Sequence, residues 1–292
     1  MARALQRRSA SAQQARGILR RQVKKGLKEL AGGDRATDAD IHEARKRIKE
    51  ARATLRLLRK VLSRADYRRE DRLLRDAARP LSAARDAKVL VEAFDGLGQR
   101  HHRARHIKGG QRLRQALVNA RGRARRALTD GRGVRRTDKL LRKARAQVKH
   151  WPLRHDGWRP VATGAVRRYA KGRRALQDVR SERTAERLHH WRKQAKYLYL
   201  QLELLAPICA PFIARLAHEL RRLSDDLGED HDLAMLQESV AALARDVHHE
   251  VSATTFLSLI ERSRNHLQRR ALSRGGRLYR VRPARLAAIL GV

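Results

Sequence analysis

Cysteine is almost missing from this chain: Cys209 is the only one in 292 residues. A lone thiol excludes an internal disulfide framework and fits a reducing compartment, where it serves as a small core residue. Aromatics are scarce too, with eleven Phe, Tyr and Trp in all. That is thin support for a single-stranded nucleic-acid site, which normally stacks bases on rings. No run of about 18 apolar residues is present, so no membrane-spanning helix is expected. The first residues, MARALQRRSASAQQARG, lack the apolar core of a secretory signal. They are Arg/Ser-rich and acid-poor, as a transit peptide is, but read as the basic lead-in of a cytoplasmic protein. Strand-type alternation with hairpin turns is missing, which leaves an all-α fold. Also missing are a P-loop, a GxSxG elbow and zinc-type Cys/His spacing, so positive evidence for catalysis is weak. Acid is the scarcest class relative to its opposite: 30 Asp+Glu stand against 70 Lys+Arg, a formal charge of +40. Self-repulsion on that scale opposes compaction and points to a polyanionic partner.

What is present is a basic helix. Residues 41–62, IHEARKRIKEARATLRLLRKVL, carry eight Lys/Arg and two Glu. At about 100° per residue, Ile41, Ala44, Ile48, Ala51, Leu55, Leu58 and Leu62 share one arc. His42, Arg45, Lys49, Arg52 and Arg56 share the neighbouring arc, with Lys46 and Lys60 at its edge. An ordinary amphipathic helix puts mixed charges opposite its apolar stripe. Here a stripe of one sign borders the buried face, as it would along a groove between helices. Such a row offers a cation about every 5.4 Å, which suits a linear polymer charged at every unit.

The pattern returns at 188–205, LHHWRKQAKYLYLQLELL. Leu188, His189, Arg192, Lys193 and Lys196 match Ile41, His42, Arg45, Lys46 and Lys49, while Tyr199 and Glu203 replace Arg52 and Arg56. Downstream, 74–90 aligns with 220–236 at nearly the same offset. Two ordered matches predict an internal duplication: an N-terminal half over 1–150 and a C-terminal half over 151–292. The WPLRHDGWRPVATG stretch at 151–164, with two Pro and two Gly, marks the junction.

Helices are expected over 11–31, 41–62, 66–79, 82–97, 111–129, 135–150, 165–180, 188–205, 212–227, 231–248 and 253–273. Thr37 with Asp40 supplies a capping box. Residues 95–110 read as a loop, RLYRV near the end as extended, and Pro283 opens a short last helix.

His42 and His189 sit at equivalent places, each three residues before an Arg, and would charge when an anion binds nearby. As metal ligands they lack a partner at i+4. The pairs His101–His102 and His248–His249 receive no role. The other chemical signal is acidic: Asp225, Asp226, Glu229, Asp230 and Asp232, with His231, fall within eight residues. A divalent metal for phosphate hydrolysis is one reading. A helix–helix turn at Gly228 with acidic caps for the next helix is the preferred one.

His-x-x-Arg-Lys followed by Lys, found twice in a basic helical chain, resembles the conserved histidine α-helical domain (CHAD) family. The resemblance rests on HEARKRIK (42–49), LSAARDAKVL (81–90), LHHWRKQAKYL (188–198), LGEDHDLAML (227–236) and GGRLYRV (275–281). It covers nearly the whole chain as one domain, 1–292. It implies two pseudo-symmetric four-helix bundles around a basic central groove. It also implies binding of inorganic polyphosphate and, for some members, association with polyphosphate granules. Contacts carry over to His42, Arg45, Lys46, Lys49, Arg52 and Arg56, and to His189, Arg192, Lys193 and Lys196. Arg20 and Lys24 on the first helix are plausible additions. Tyr199 departs from the Arg that the family commonly has near that point. The expectation is a non-enzymatic cytoplasmic polyphosphate binder without cofactor or metal. Weak nucleic-acid binding and a metal-dependent phosphohydrolase built on 225–232 are the alternatives.

Overall fold

The computed structural model describes residues 11–101, 107, 109–154, 156–209, 211–246 and 253–292. The expectations placed on residues 1–10, His102 and His248–His249 lie outside that set. Among the described residues there are eleven α-helices and no strand. The all-α expectation is therefore met.

Helix α1 (Ala12–Glu29) starts where the Ser11 hydroxyl accepts from the Gln14 N–H, and it buries Ala15, Ile18, Leu19 and Val23. Helix α2 (Asp38–Leu57) opens on the expected capping box. The Thr37 N–H donates to Asp40 Oδ2 at 2.7 Å, and the Asp40 N–H donates to Thr37 Oγ1 at 3.2 Å. All seven residues of the apolar arc, Ile41 through Leu62, are buried. A 3₁₀ turn (Leu58–Lys60) ends the helix. Helix α3 (Arg64–Ala78) is capped by Ser63 and stops before Pro80, and α4 (Ser82–Arg100) follows.

Four expectations need correction, and each turns on glycine. The loop expected at 95–110 is shorter, because α4 runs on through Gly96 and Gly98. Interior glycines cost about 1 kcal/mol each, but Leu97 seats at 1% exposure among Leu113, Leu117 and Phe256 and holds the last turns. Helices α5 (Gly110–Asp130) and α6 (Gly133–Lys149) follow. Next, the second half of the junction stretch 151–164 is already helix: α7 spans Trp158–Ser181, starting before the expected 165. Pro160 falls in its first turn, where a missing N–H costs nothing. Gly164 lies against α2, where a Cβ would come within 2.7 Å of the Leu57 carbonyl oxygen.

Helix α8 (Ala185–Leu205) is capped by Thr184 and ends before Pro207. Next comes α9 (Pro211–Asp246), unbroken for 36 residues. The turn expected at Gly228 does not form, so the acidic residues cap nothing. Leu223, Leu227, Leu233 and Leu236 keep helical spacing across it and are all buried. Lastly, α10 (Ala253–Leu278) runs past the expected end at 273, through Gly275 and Gly276 and two residues into the RLYRV stretch expected to be extended. A Cβ at Gly275 would meet the Trp191 ring at 2.5 Å. Helix α11 (Pro283–Ile289) opens on proline as expected.

The main core draws on α1, α2, α3, α6, α7, α8 and the start of α9 together, so apolar side chains from both parts of the chain share it. A second cluster joins α4 and α5 to the later turns of α9 and to α10. At the seam, the Gln201 amide of α8 donates to the Ala53 carbonyl of α2 at 3.0 Å, fully buried. This juxtaposition of α2 and α8, with α4 and α9 alongside, positions the site.

Candidate functional site

Helices α2, α4, α8 and α9 wall a half-open cavity of about 590 Å³. Into it come His42, Arg45, Lys46 and Lys49 from α2, and Arg192, Lys193 and Lys196 from α8. Arg85 and Arg100 add two cations from α4. Eight Lys/Arg therefore line the walls against five carboxylates: Glu50, Glu92, Asp225, Glu229 and Asp232.

The cations differ in how they are held. Arg45 is braced: its Nη1 donates to Ser82 Oγ at 2.6 Å and to the Ala78 carbonyl, and Asp86 lies 4.0 Å away. Burial still pulls its guanidinium below the ordinary value. Lys46 is exposed and pairs with Glu43 at 2.9 Å. Lys49 is only partly accessible, and it forms no ion pair or hydrogen bond among the described residues. Burial, reinforced by Arg45, Arg85, Arg192 and Lys196, pushes its ammonium down to about 7. Arg192 likewise makes no ion pair within 4 Å among the described residues; burial lowers it, with Asp232 opposing. Lys196 is lowered by burial and lies over the Tyr199 ring at 5.1 Å. Partial burial and the charge of Arg85 keep His42 below its ordinary value. Gly228 lies beside the Arg192 head, at a distance where even a Cβ would make only ordinary contact, 3.9 Å from Arg192 Nε.

The remaining stripe residues lie elsewhere. Arg52 and Arg56 continue along α2 and both pair with Asp71 of α3 at 3.1 Å. Arg56 also stacks on Tyr197, 4.1 Å from the ring centre. His189 faces a smaller hollow of about 270 Å³, 4.6 Å from the His231 ring. Burial lowers both imidazoles, His231 to about 4. Arg20 and Lys24 are exposed on α1 and line no part of the cavity.

The acidic cluster divides between two faces of α9. Asp226 meets Arg270 at 2.6 Å and Arg274 at 3.1 Å; Asp230 meets Arg264 at 3.2 Å and accepts from Gln268 at 2.9 Å. Asp225, Glu229 and Asp232 turn the other way, into the cavity. There Glu229 pairs with Arg100, and Asp232 lies 3.8 Å from Arg85. Burial raises the Asp232 carboxyl despite these cations. Among the described residues no three His, Cys, Asp or Glu come together as a metal site would require. Arg85 and Arg100 were missed from sequence. Arg85 lies inside the quoted LSAARDAKVL motif, so its signal was available, whereas Arg100 was hidden in the supposed loop.

Fold and site together define a class: an all-α protein whose helices wall a half-open, cation-rich cavity suited to an anion. The CHAD domain family model matches residues 17–241, and the chain belongs to that family. Two solved structures share its fold. PptA from Streptomyces chartreusis is 19% identical, with TM-score 0.69 over 92% of this chain and 100% of that one. The CHAD domain from the plant Ricinus communis is 18% identical, with TM-score 0.54 over 99% and 94%. No curated protein matches the chain. No described helix is long and apolar enough to cross a membrane.

Proposed function

We propose that the chain binds inorganic polyphosphate in the cavity between α2, α4, α8 and α9, without turning it over. The observation that carries this reading is the state of Lys49 and Arg192. Two partly buried cations face a surplus of positive charge with no carboxylate within ion-pair distance. Buried charge without a partner is costly, and an incoming phosphate oxygen relieves it. Lys46, Lys193 and Lys196 add flexible point charges around these two, and Arg45 presents a guanidinium fixed by Ser82. Membership of the CHAD family supports the same ligand class. Attachment to polyphosphate granules would follow from binding long chains at their surface.

The test is competition binding of long-chain polyphosphate against RNA and duplex DNA at matched phosphate concentration and salt. Sub-micromolar binding of polyphosphate that weakens steeply with salt is expected, by analogy with counterion release. Duplex DNA should compete poorly, being too wide for a cavity between helices. Equal affinity for DNA would refute the reading.

A further inference from the structure

The cavity does not account for all of the concentrated positive charge. Beside it, Arg167, Arg168 and Lys171 of α7 gather with Arg56 from the end of α2 and Arg59 from the 3₁₀ turn after it. On α7, Arg167 and Arg168 stand four and three residues before Lys171 and so share its face, and Arg56 and Arg168 approach the same Tyr197 ring. Their charges press on one another accordingly, Arg59 on Arg167, Arg56 on Arg168, and all four arginines on Lys171. Among the described residues, Arg59, Arg167, Arg168 and Lys171 have no carboxylate within 4 Å. Asp71 serves Arg52 and Arg56 only. Contrast α10, where Arg264, Arg270 and Arg274 each meet an acid at 3.2 Å or less.

Tyr197 joins this patch to the cavity. Its ring lines the cavity and also carries Arg56 at 4.1 Å and Arg168 at 5.6 Å. The ring contacts hold both guanidiniums at the boundary between patch and cavity, Arg56 also tied to Asp71. Arg168 donates to Gln194 Oε1, while its buried Nε has no partner. Arg59 lies over Tyr67, and it and Lys171 are exposed to solvent. The result is a continuous cationic path from the half-open cavity to the solvent-exposed α7 face.

We infer that this α7 face is a second polyphosphate subsite, which takes the stretch of chain emerging from the cavity past Tyr197. The inference rests on the reading of the cavity as a polyphosphate site. It makes affinity depend on length: a short chain occupies the cavity alone, and a long one occupies both.

The test measures tripolyphosphate and long-chain polyphosphate binding to the wild type, to Arg167→Gln with Lys171→Gln, and to Lys49→Met. Arg59→Gln with Lys171→Gln, on exposed side chains, repeats the test from the α2 side, with folding checked by circular dichroism. The α7 pair should weaken long-chain binding by about tenfold and lower the log–log salt slope by about two, one per lost contact. Its tripolyphosphate affinity should stay within about twofold of wild type, whereas Lys49→Met should weaken both lengths. Unchanged long-chain affinity in both double variants overturns the inference. So does an equal loss for tripolyphosphate, which would place the effect inside the cavity. If the wild type binds neither ligand, the polyphosphate reading of the cavity itself falls.

Discussion

Lys49→Met isolates the cavity's central charge with little change in volume. With an ammonium at about 7 in the empty protein, Lys49 is about nine-tenths charged at pH 6 and about one-tenth at pH 8. A bound polyanion favours the charged form, so binding at pH 8 draws about 0.9 proton onto Lys49 and binding at pH 6 about 0.1. Wild-type affinity should therefore fall by about tenfold from pH 6 to pH 8 through this residue. At pH 6 the substitution removes one charged hydrogen bond, about 1.5–3 kcal/mol, or roughly ten- to hundredfold in Kd. Titration calorimetry in two buffers of different ionisation enthalpy reads the proton count directly. The folding equilibrium gives an independent check. The folded value lies below the unfolded one near 10.4, so between about pH 7 and 10 the unfolded chain binds more protons. The contribution of Lys49 to stability thus rises with pH through that window and is most unfavourable below pH 7. Lys49→Met should be more stable than wild type at pH 6, and the gap should narrow towards pH 10. Equal proton uptake by the two proteins at pH 8 would refute the assignment of Lys49 as the buried, unpaired cation.

Gly164→Ala should destabilise the protein by about 1–3 kcal/mol in urea unfolding, because its Cβ would press on Leu57 backbone and force α7 from α2. Asp226→Ala should cost about 1–2 kcal/mol, since it removes a buried carboxylate that binds Arg270 and Arg274, while Arg274 keeps Glu219 and Arg270 stays half exposed to water. No orthophosphate should appear from polyphosphate or nucleotides with Mg²⁺ or Mn²⁺; turnover abolished by Asp232→Ala would make the protein an enzyme.

Local signals were legible where the partner lies within a few residues. The Thr37–Asp40 box and the apolar arc of α2 were read from sequence and are present. Contacts that span the chain were not. Nothing near Arg52 or Arg56 tells that Asp71 will pair with both, while Arg45 and Lys49 enter the cavity. Glycine misled for the same reason. The letter is identical in a loop and in a helix that must touch a neighbour, and only the neighbour decides. Gly164 meets Leu57, Gly275 meets Trp191, and Gly228 simply continues α9. His189, equivalent in sequence to His42, ends beside His231, a partner on another helix.

Helix α9, continuous for 36 residues, is a strut about 54 Å long. One face carries cavity carboxylates and the adjacent face is riveted to α10 by Asp226 and Asp230. The cavity alongside it is half open to solvent. A ligand then enters without any hinge swinging aside, so its arrival should approach the rate set by electrostatic attraction. Departure is a different matter. A chain held at many cations must shed them one after another, and a lost contact can re-form before the next one breaks. Residence time should therefore lengthen steeply with polymer length, while arrival scarcely changes.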